Sequence, residues 1–311
     1  MKKKKFVSTI EELVSDTPLY HPQRWLQEQG VSQARFFCKL ENFNPSGSVK
    51  DRTALGMILN LEEKGLLKKG GTIIEPTSGN TGIGAASIAS ARGYRTIFTL
   101  PDSMSTERRN LLKAYGAELV LTPGAEGMKG AISKAQSLLK EIPNSVSLGQ
   151  FTNQANPAYH EKTTGAEIWR DCPEIDVFVG GVGTGGTLTG VARAILKHKA
   201  DLEVVAVEPD KSAVLSGEPA GKHGIQGIGA GFIPETLDFD LIDKILKVSL
   251  DDAAEMTRSF VRSEGLLLGI SSGAALTACL RLLHNPQYSG KTFVTILPDS
   301  GDRYLSTGIF D

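Results

Sequence analysis

Lys50 is the side chain whose neighbours best suit it to act as a nucleophile. It lies in Asn44-Pro45-Ser46-Gly47-Ser48-Val49-Lys50-Asp51-Arg52, after a turn of Pro, Ser and Gly. The next residues, Thr53-Ala54-Leu55-Gly56-Met57-Ile58-Leu59, have the spacing of a helix. A lysine at a helix start faces free backbone N–H groups and the positive end of the macrodipole, which disfavour its ammonium form. The free amine is what a Schiff-base lysine requires. The ordinary alternative is a solvated lysine beside an ion-pairing Asp51 and Arg52, with Asp51 a neighbour and no more.

Two further stretches could bind anions. Gly181-Val182-Gly183-Thr184-Gly185-Gly186-Thr187-Leu188-Thr189-Gly190 follows an apolar run and opens a helix. Its glycines permit close backbone approach and its threonines offer hydroxyls, the make-up of a phosphate cradle. Gly181, Gly183 and Gly186 also satisfy G-x-G-x-x-G, and Glu208 ends the next apolar run where a ribose-binding acid would lie. A dinucleotide-binding dehydrogenase therefore competes at this point. Pro76-Thr77-Ser78-Gly79-Asn80-Thr81-Gly82-Ile83-Gly84 suits a carboxylate or phosphate at a helix start, and equally a well-capped helix. Gly227-Ile228-Gly229-Ala230-Gly231-Phe232 could line a pocket or form a loop with positive dihedrals. Gly269-Ile270-Ser271-Ser272-Gly273 reads by default as a helix N-cap.

The elements that must position these loops are legible as a rhythm. Short apolar runs occur at Thr72 to Glu75, Thr96 to Leu100, Glu118 to Leu121, Val177 to Gly180, Val204 to Val207 and Phe293 to Leu297. Most are continuously apolar, as in parallel strands buried on both faces. Between them, Ser105 to Tyr115, Gly124 to Ile142, Pro157 to Arg170, Gly186 to His198 and Ser249 to Ser263 carry helical spacing. This alternation predicts an α/β fold, and in such sheets ligands bind beyond the carboxyl ends of the strands. The rhythm breaks near Gln150 to Pro157. Residues 1–150 are therefore expected to form one α/β domain, with Lys50, and residues 151–311 a second, with the Gly181–Gly190 loop.

Composition excludes several classes. The 311 residues are 40% hydrophobic and 22% charged with a formal net charge of -1, which points to no nucleic-acid or anionic-membrane partner. The Lys2-Lys3-Lys4-Lys5 run is followed by no apolar h-region and is expected to be a solvated tail, and no apolar run reaches transmembrane length. Cys38, Cys172 and Cys279 form no disulfide or zinc pattern, which suits a reducing cytoplasm, and the histidines show no metal-ligand spacing.

Taken together and in order, NPSGSVKDR, PTSGNTGIGAA, GTGGTLTGV, GIGAGFIP, GISSGAA and LPDSGDRYLSTGIF carry a resemblance. From about Asp16 to the C-terminus the chain resembles the pyridoxal-phosphate fold type II family of cysteine synthase (O-acetylserine sulfhydrylase) and cystathionine β-synthase. The resemblance implies two domains of tryptophan synthase β type, each a mostly parallel twisted sheet with helices on both faces. The first ~40 residues are then able to cross to the other domain. It implies Lys50 as the cofactor-bearing lysine and base for the α-proton, Asn80 on the cofactor O3′, and Gly183, Thr184, Gly185, Gly186 and Thr187 around its phosphate. Ser271 would face the pyridine nitrogen, a neutral partner that favours expelling a β-leaving group over transamination. Thr77, Ser78, Gly79, Thr81, Gln150 and Gly227 would hold the amino-acid substrate.

The reaction so implied is β-replacement: O-acetyl-L-serine and sulfide give L-cysteine through an α-aminoacrylate. SVKDR, PDSMSTERR and GDRYLSTGIF look like the second cysteine synthase isozyme and cystathionine β-synthase, whereas GTGGT and GIGAGFIP look like the main sulfide-using enzyme. Related β-replacements or β-eliminations with a thiol, or with release of hydrogen sulfide, are the alternative. The family also implies a cytoplasmic homodimer and, for some members, binding of the serine acetyltransferase C-terminus. The dehydrogenase reading leaves Lys50, Asn80 and Ser271 without a task and ranks far behind.

Overall fold

The structure is a computed structural model and describes residues 6–77 and 79–311. The Lys2 to Lys5 run, and Ser78 among the expected substrate contacts, lie outside the described residues. The first half contains β1 (Leu19–Tyr20), α1 (Gln23–Glu28), β2 (Arg35–Leu40), α2 (Lys50–Glu63), β3 (Thr72–Pro76), α3 (Asn80–Arg92), β4 (Arg95–Pro101), α4 (Thr106–Ala114), β5 (Glu118–Thr122), α5 (Gly127–Glu141) and β6 (Ser145–Val146). The second contains α6 (Ala155–His160), α7 (Ala166–Asp171), β7 (Val177–Gly181), α8 (Gly186–Leu196), β8 (Glu203–Pro209), β9 (Lys244–Val248), α9 (Leu250–Glu264), α10 (Ile270–Leu283) and β10 (Thr292–Leu297). Each of the six apolar runs is a strand, so the α/β reading holds.

These elements fall into two compact units. One comprises Asn44–Asn156 with the described residues up to Ser15; the other comprises Asp16–Phe43 and Pro157–Asp311. The division thus falls at Asn156, where the sequence places it after Gln150, and residues 16–43 belong with the C-terminal part. The physical reason is strand pairing: all six residues of β2 pair in parallel with β10, Phe36 opposite Phe293 and Leu40 opposite Leu297. A buried ion pair adds to this. The Lys39 ammonium, fully buried, lies 2.7 Å from Glu167 Oε2 and donates to the Thr17 carbonyl at 2.6 Å.

The first unit holds a four-stranded sheet ordered β5-β4-β3-β6, parallel throughout. Ile74 of β3 and Ile97 of β4 pack against Ala135 of α5. Strand β5 sits at the sheet edge and is only partly covered, which departs from burial on both faces.

The second unit holds a six-stranded sheet ordered β1-β2-β10-β7-β8-β9, parallel except for β1 against β2. Its faces separate by residue parity. Val177, Val179, Val205, Val207, Phe293 and Leu297 pack with residues of α1, α9 and α10. Phe178, Val204, Ala206, Val294 and Ile296 pack with residues of α7 and α8. Side chains alternate across a strand, so a strand buried on both faces must be apolar at every position. That requirement is why these strands are visible in the sequence as unbroken apolar runs. No helix among the described residues is long and apolar enough to cross a membrane.

Candidate active site

In the first unit Lys50 is the first residue of α2, as its sequence context predicts. The turn before it is held from inside the helix. Asp51, 1% exposed, accepts the Ser46 N–H at Oδ2 (2.6 Å) and the Ser46 hydroxyl at Oδ1. Asp51, in the sequence a neighbour of Lys50 and no more, is buried together with Arg52 and braces the turn that delivers Lys50. Helix α3 then comes close to the same point. A Cβ at Gly84 would lie 2.9 Å from the Lys50 carbonyl oxygen and 3.0 Å from Asp51 Oδ1, so only glycine permits this approach.

The loop between β3 and α3 brings Thr77, Gly79, Asn80 and Thr81 to the N-terminal end of α3. Gly79 is the N-cap in extended conformation and makes no side-chain cap, and the positive end of this 13-residue helix faces the loop. Thr77 and Thr81 are buried, whereas Gly79 and Asn80 are partly open. The Thr81 hydroxyl donates to Gln150 Oε1 at 2.6 Å, joining two expected substrate contacts that lie far apart in sequence. With Oε1 so engaged, the Gln150 amide has its N–H donors left to offer an anion.

Gln150 is held by a residue that sequence reasoning passed over. Glu75, 3% exposed, accepts through Oε2 from the Ser147 hydroxyl (2.6 Å), the Leu148 N–H (2.9 Å) and the Gly149 N–H (3.5 Å). Burial raises its carboxyl above the usual range, against hydrogen bonds from Ser147 and the backbone of Leu148, Gly149 and Gln150 that lower it. Its only sequence signal is an acid closing an apolar run.

In the second unit the glycine loop lies between β7 and α8. A Cβ at Gly183 would fall 2.3 Å from the Gly227 carbonyl oxygen. Gly185 adopts φ +81°, and a Cβ there would meet Leu237 at 2.5 Å. Both glycines are thus required by space, and the loop presents backbone N–H groups at the start of the 11-residue α8. Thr184 is buried and its hydroxyl accepts the Gly186 N–H at 3.3 Å, while the Thr236 hydroxyl donates to the Thr184 carbonyl at 2.6 Å. The Thr187 hydroxyl lies 3.2 Å from His160 Nε2, and His160 Nδ1 lies 2.8 Å from the Thr164 hydroxyl. His160 comes from α6, which runs through a π-helical turn, Glu161–Gly165, before α7. Backbone packs on backbone here, since a Cβ at Gly190 of α8 would lie 2.4 Å from the Pro157 carbonyl. His160 has no role in the sequence reading beyond lacking a metal partner.

Ser271 is the second residue of α10 and 3% exposed. Gly269, not either serine, is the N-cap, which corrects the default capping assignment. Gly227 has φ +98°, and a Cβ there would stand 3.4 Å from Ser271 Oγ, so these two expected site residues are neighbours. Glu208, the acid required by the dehydrogenase alternative, is already committed. Its carboxylate accepts the N–H groups of Leu215 (2.8 Å) and Ser216 (3.0 Å) and the Ser216 hydroxyl (2.6 Å).

A lysine at one helix start and a glycine loop opening another helix are features of a cofactor-dependent enzyme of α/β architecture. The family model described as pyridoxal-phosphate dependent enzyme matches residues 10–299, and the chain belongs to that family. It is 51% identical over 306 residues to a cysteine synthase of Staphylococcus aureus, a match covering 98% of this chain and 97% of that one. It is 50% identical over 307 residues to cysteine synthase A of Salmonella typhi, covering 96% of this chain and 93% of that one. Among solved structures, cysteine synthase from Entamoeba histolytica superposes with a TM-score of 0.95 at 42% identity, covering 100% of this chain and 92% of that one.

The residues present fit pyridoxal phosphate. The space that side chains at Gly183 and Gly185 would claim is closed by Gly227 and Leu237, so the loop can present only N–H groups and the Thr184 and Thr187 hydroxyls, a donor set suited to a phosphate.

Proposed function

We propose that the protein forms L-cysteine and acetate from O-acetyl-L-serine and sulfide, with pyridoxal phosphate as its cofactor. The observation that carries this reading is the pairing of Thr81 with Gln150 at the N-terminal end of α3, an amino-acid carboxylate grip on the unit that bears Lys50. Identity of about half to cysteine synthases over nearly the whole chain supports the same reaction.

In this reading the Lys50 amine holds the cofactor, Asn80 bonds its ring oxygen, and Gly183, Thr184, Gly185, Gly186 and Thr187 take its phosphate. Ser271 faces the ring nitrogen. Bound pyridoxal phosphate supplies the electron sink for charge left at the substrate α-carbon. Thr77, Gly79, Thr81 and Gln150, with Ser78 from the sequence, fix the substrate carboxylate, and Gly227 leaves backbone room beside Ser271. Lys50 Nζ would accept the α-proton of the bound substrate. The β-acetoxy group leaves as acetate, hydrosulfide adds at the β-carbon, and Lys50 Nζ returns the proton to the α-carbon to give cysteine. A helix N-terminus for each of the two anions, phosphate and carboxylate, keeps both charges stabilised through the cycle.

The same reading makes the protein a cytoplasmic homodimer, consistent with three free, buried thiols. The carboxylate grip would also accept the C-terminal carboxylate of serine acetyltransferase, which co-elution of the two proteins would reveal.

The decisive experiment is an absorption spectrum of the purified protein. A yellow protein whose visible band shifts with O-acetyl-L-serine and returns when sulfide follows, with cysteine formed, is the expected result. A yellow protein silent to O-acetyl-L-serine would reassign the donor, and a colourless protein that cannot be reconstituted would overturn the reading. Lys50→Ala should lose the band and lower turnover by roughly a thousandfold or more.

A further inference from the structure

Strand β6 pairs with β3 for only two residues, Ser145 with Thr72 and Val146 with Ile73. Beyond Val146 the chain leaves the ladder, and its next N–H groups need other acceptors. One carboxylate oxygen meets them. Glu75 Oε2 takes the Ser147 hydroxyl at 2.6 Å, the Leu148 N–H at 2.9 Å and the Gly149 N–H at 3.5 Å. The far side of the segment is tied as well, by the Asn153 amide on the Leu148 carbonyl and the Asn156 amide on the Gln150 carbonyl, both at 3.0 Å. Gly149 turns with φ +68°, and Gln150 follows immediately with Oε1 on the Thr81 hydroxyl.

A buried carboxylate is an expensive way to hold a loop, because desolvation opposes its charge. Here the cost secures one geometric result, the direction in which residue 150 leaves the sheet. We propose that Glu75 is a positioning residue for the amino-acid substrate: by gathering residues 147–149 it sets the Gln150 amide against Thr81 and toward the substrate carboxylate. Glu75 touches neither substrate nor cofactor and acts through Gln150. The inference rests on the reading of Gln150 as a carboxylate contact.

The test measures KM for O-acetyl-L-serine, KM for sulfide and kcat for the cofactor-loaded enzyme carrying Gln150→Ala, Glu75→Ala, Glu75→Gln and Ser147→Ala. Loss of one charge-assisted contact corresponds to about a tenfold effect or more. Gln150→Ala and Glu75→Ala should each raise KM for O-acetyl-L-serine by about tenfold, with kcat and KM for sulfide within about twofold. Glu75→Gln keeps an oxygen acceptor for the Leu148 N–H and should recover most of the loss. Ser147→Ala removes one of the donors and should raise the same KM by about fivefold. The double variant Glu75→Ala, Gln150→Ala should be little worse than Gln150→Ala alone, because both act through one contact. If Glu75→Ala fails to fold, Ser147→Ala and Glu75→Gln decide the matter. A raised KM in Gln150→Ala with none in Glu75→Ala or Ser147→Ala overturns the inference alone. An unchanged KM in Gln150→Ala removes the reading beneath it, and the inference with it. A fall in kcat with both KM values moved together would mark Glu75 as general scaffold and also overturn it.

Discussion

The carboxylate of Asp51 reaches back over the turn before Lys50 and accepts the backbone N–H of Ser46 at 2.6 Å. Two consecutive residues thus divide the work at the start of α2: Lys50 is the chemical group, and Asp51 fixes the backbone that carries it. Asp51→Ala would leave the buried Ser46 N–H without its acceptor. The expected loss is about 2 kcal/mol of stability, read by urea unfolding, together with reduced turnover. Asp51→Asn retains one acceptor oxygen and should fall between the two. Full stability and activity in Asp51→Ala would return Asp51 to the role of a bystander.

Gly84 should tolerate no side chain. The Cβ of Gly84→Ala would stand 2.9 Å from the Lys50 carbonyl, and the obstacle is backbone, which cannot rotate away. The first turn of α2 must then shift against α3, at a cost of about 1–3 kcal/mol. Lowered kcat and a displaced visible absorption band would report the movement at Lys50. A variant with wild-type spectrum and kcat would show that the two helices can part without moving the lysine.

Ser271 offers a neutral hydroxyl at the start of α10. Ser271→Asp should be accepted structurally, since an acid near a helix N-terminus interacts favourably with the dipole. Its charge would hold a proton on the cofactor ring nitrogen and divert substrate into side reactions. Chromatographic product analysis should show cysteine falling and keto-acid or racemised products rising. An unchanged product profile would remove the role given to this serine.

The three thiols should be silent in the native protein. Burial pushes the thiols of Cys172 and Cys279 up to about 12, and raises that of Cys38 well above its ordinary value. A raised thiol ionises only as pH climbs toward those values, so at about pH 8 almost none is thiolate. Titration with an aromatic disulfide should detect no thiol until denaturant is added and then all three. Rapid reaction of one native thiol would contradict the burial.

Much of this protein is determined by its sequence because the physical demand is local. Strands β3, β4, β7, β8 and β10 must be apolar at nearly every position, since helices cover their sheets, and they stand out as runs. The glycine loop after β7 is legible because close approach and a left-handed residue at Gly185 admit little else. Lys50 at a helix start follows from turn and periodicity alone. Tertiary structure decides what depends on distant partners. Strand β2 reads Arg35-Phe36-Phe37-Cys38-Lys39-Leu40, and its charged residues hide it. Lys39 can lie in the core only because Glu167, 128 positions further along the chain, meets its ammonium there. Glu75 and Asp51 look like ordinary surface acids until the fold buries them against Leu148 and Ser46. Burial and long-range hydrogen bonding turn a solvated charge into a positioning group, and neither property can be read from the residues on either side.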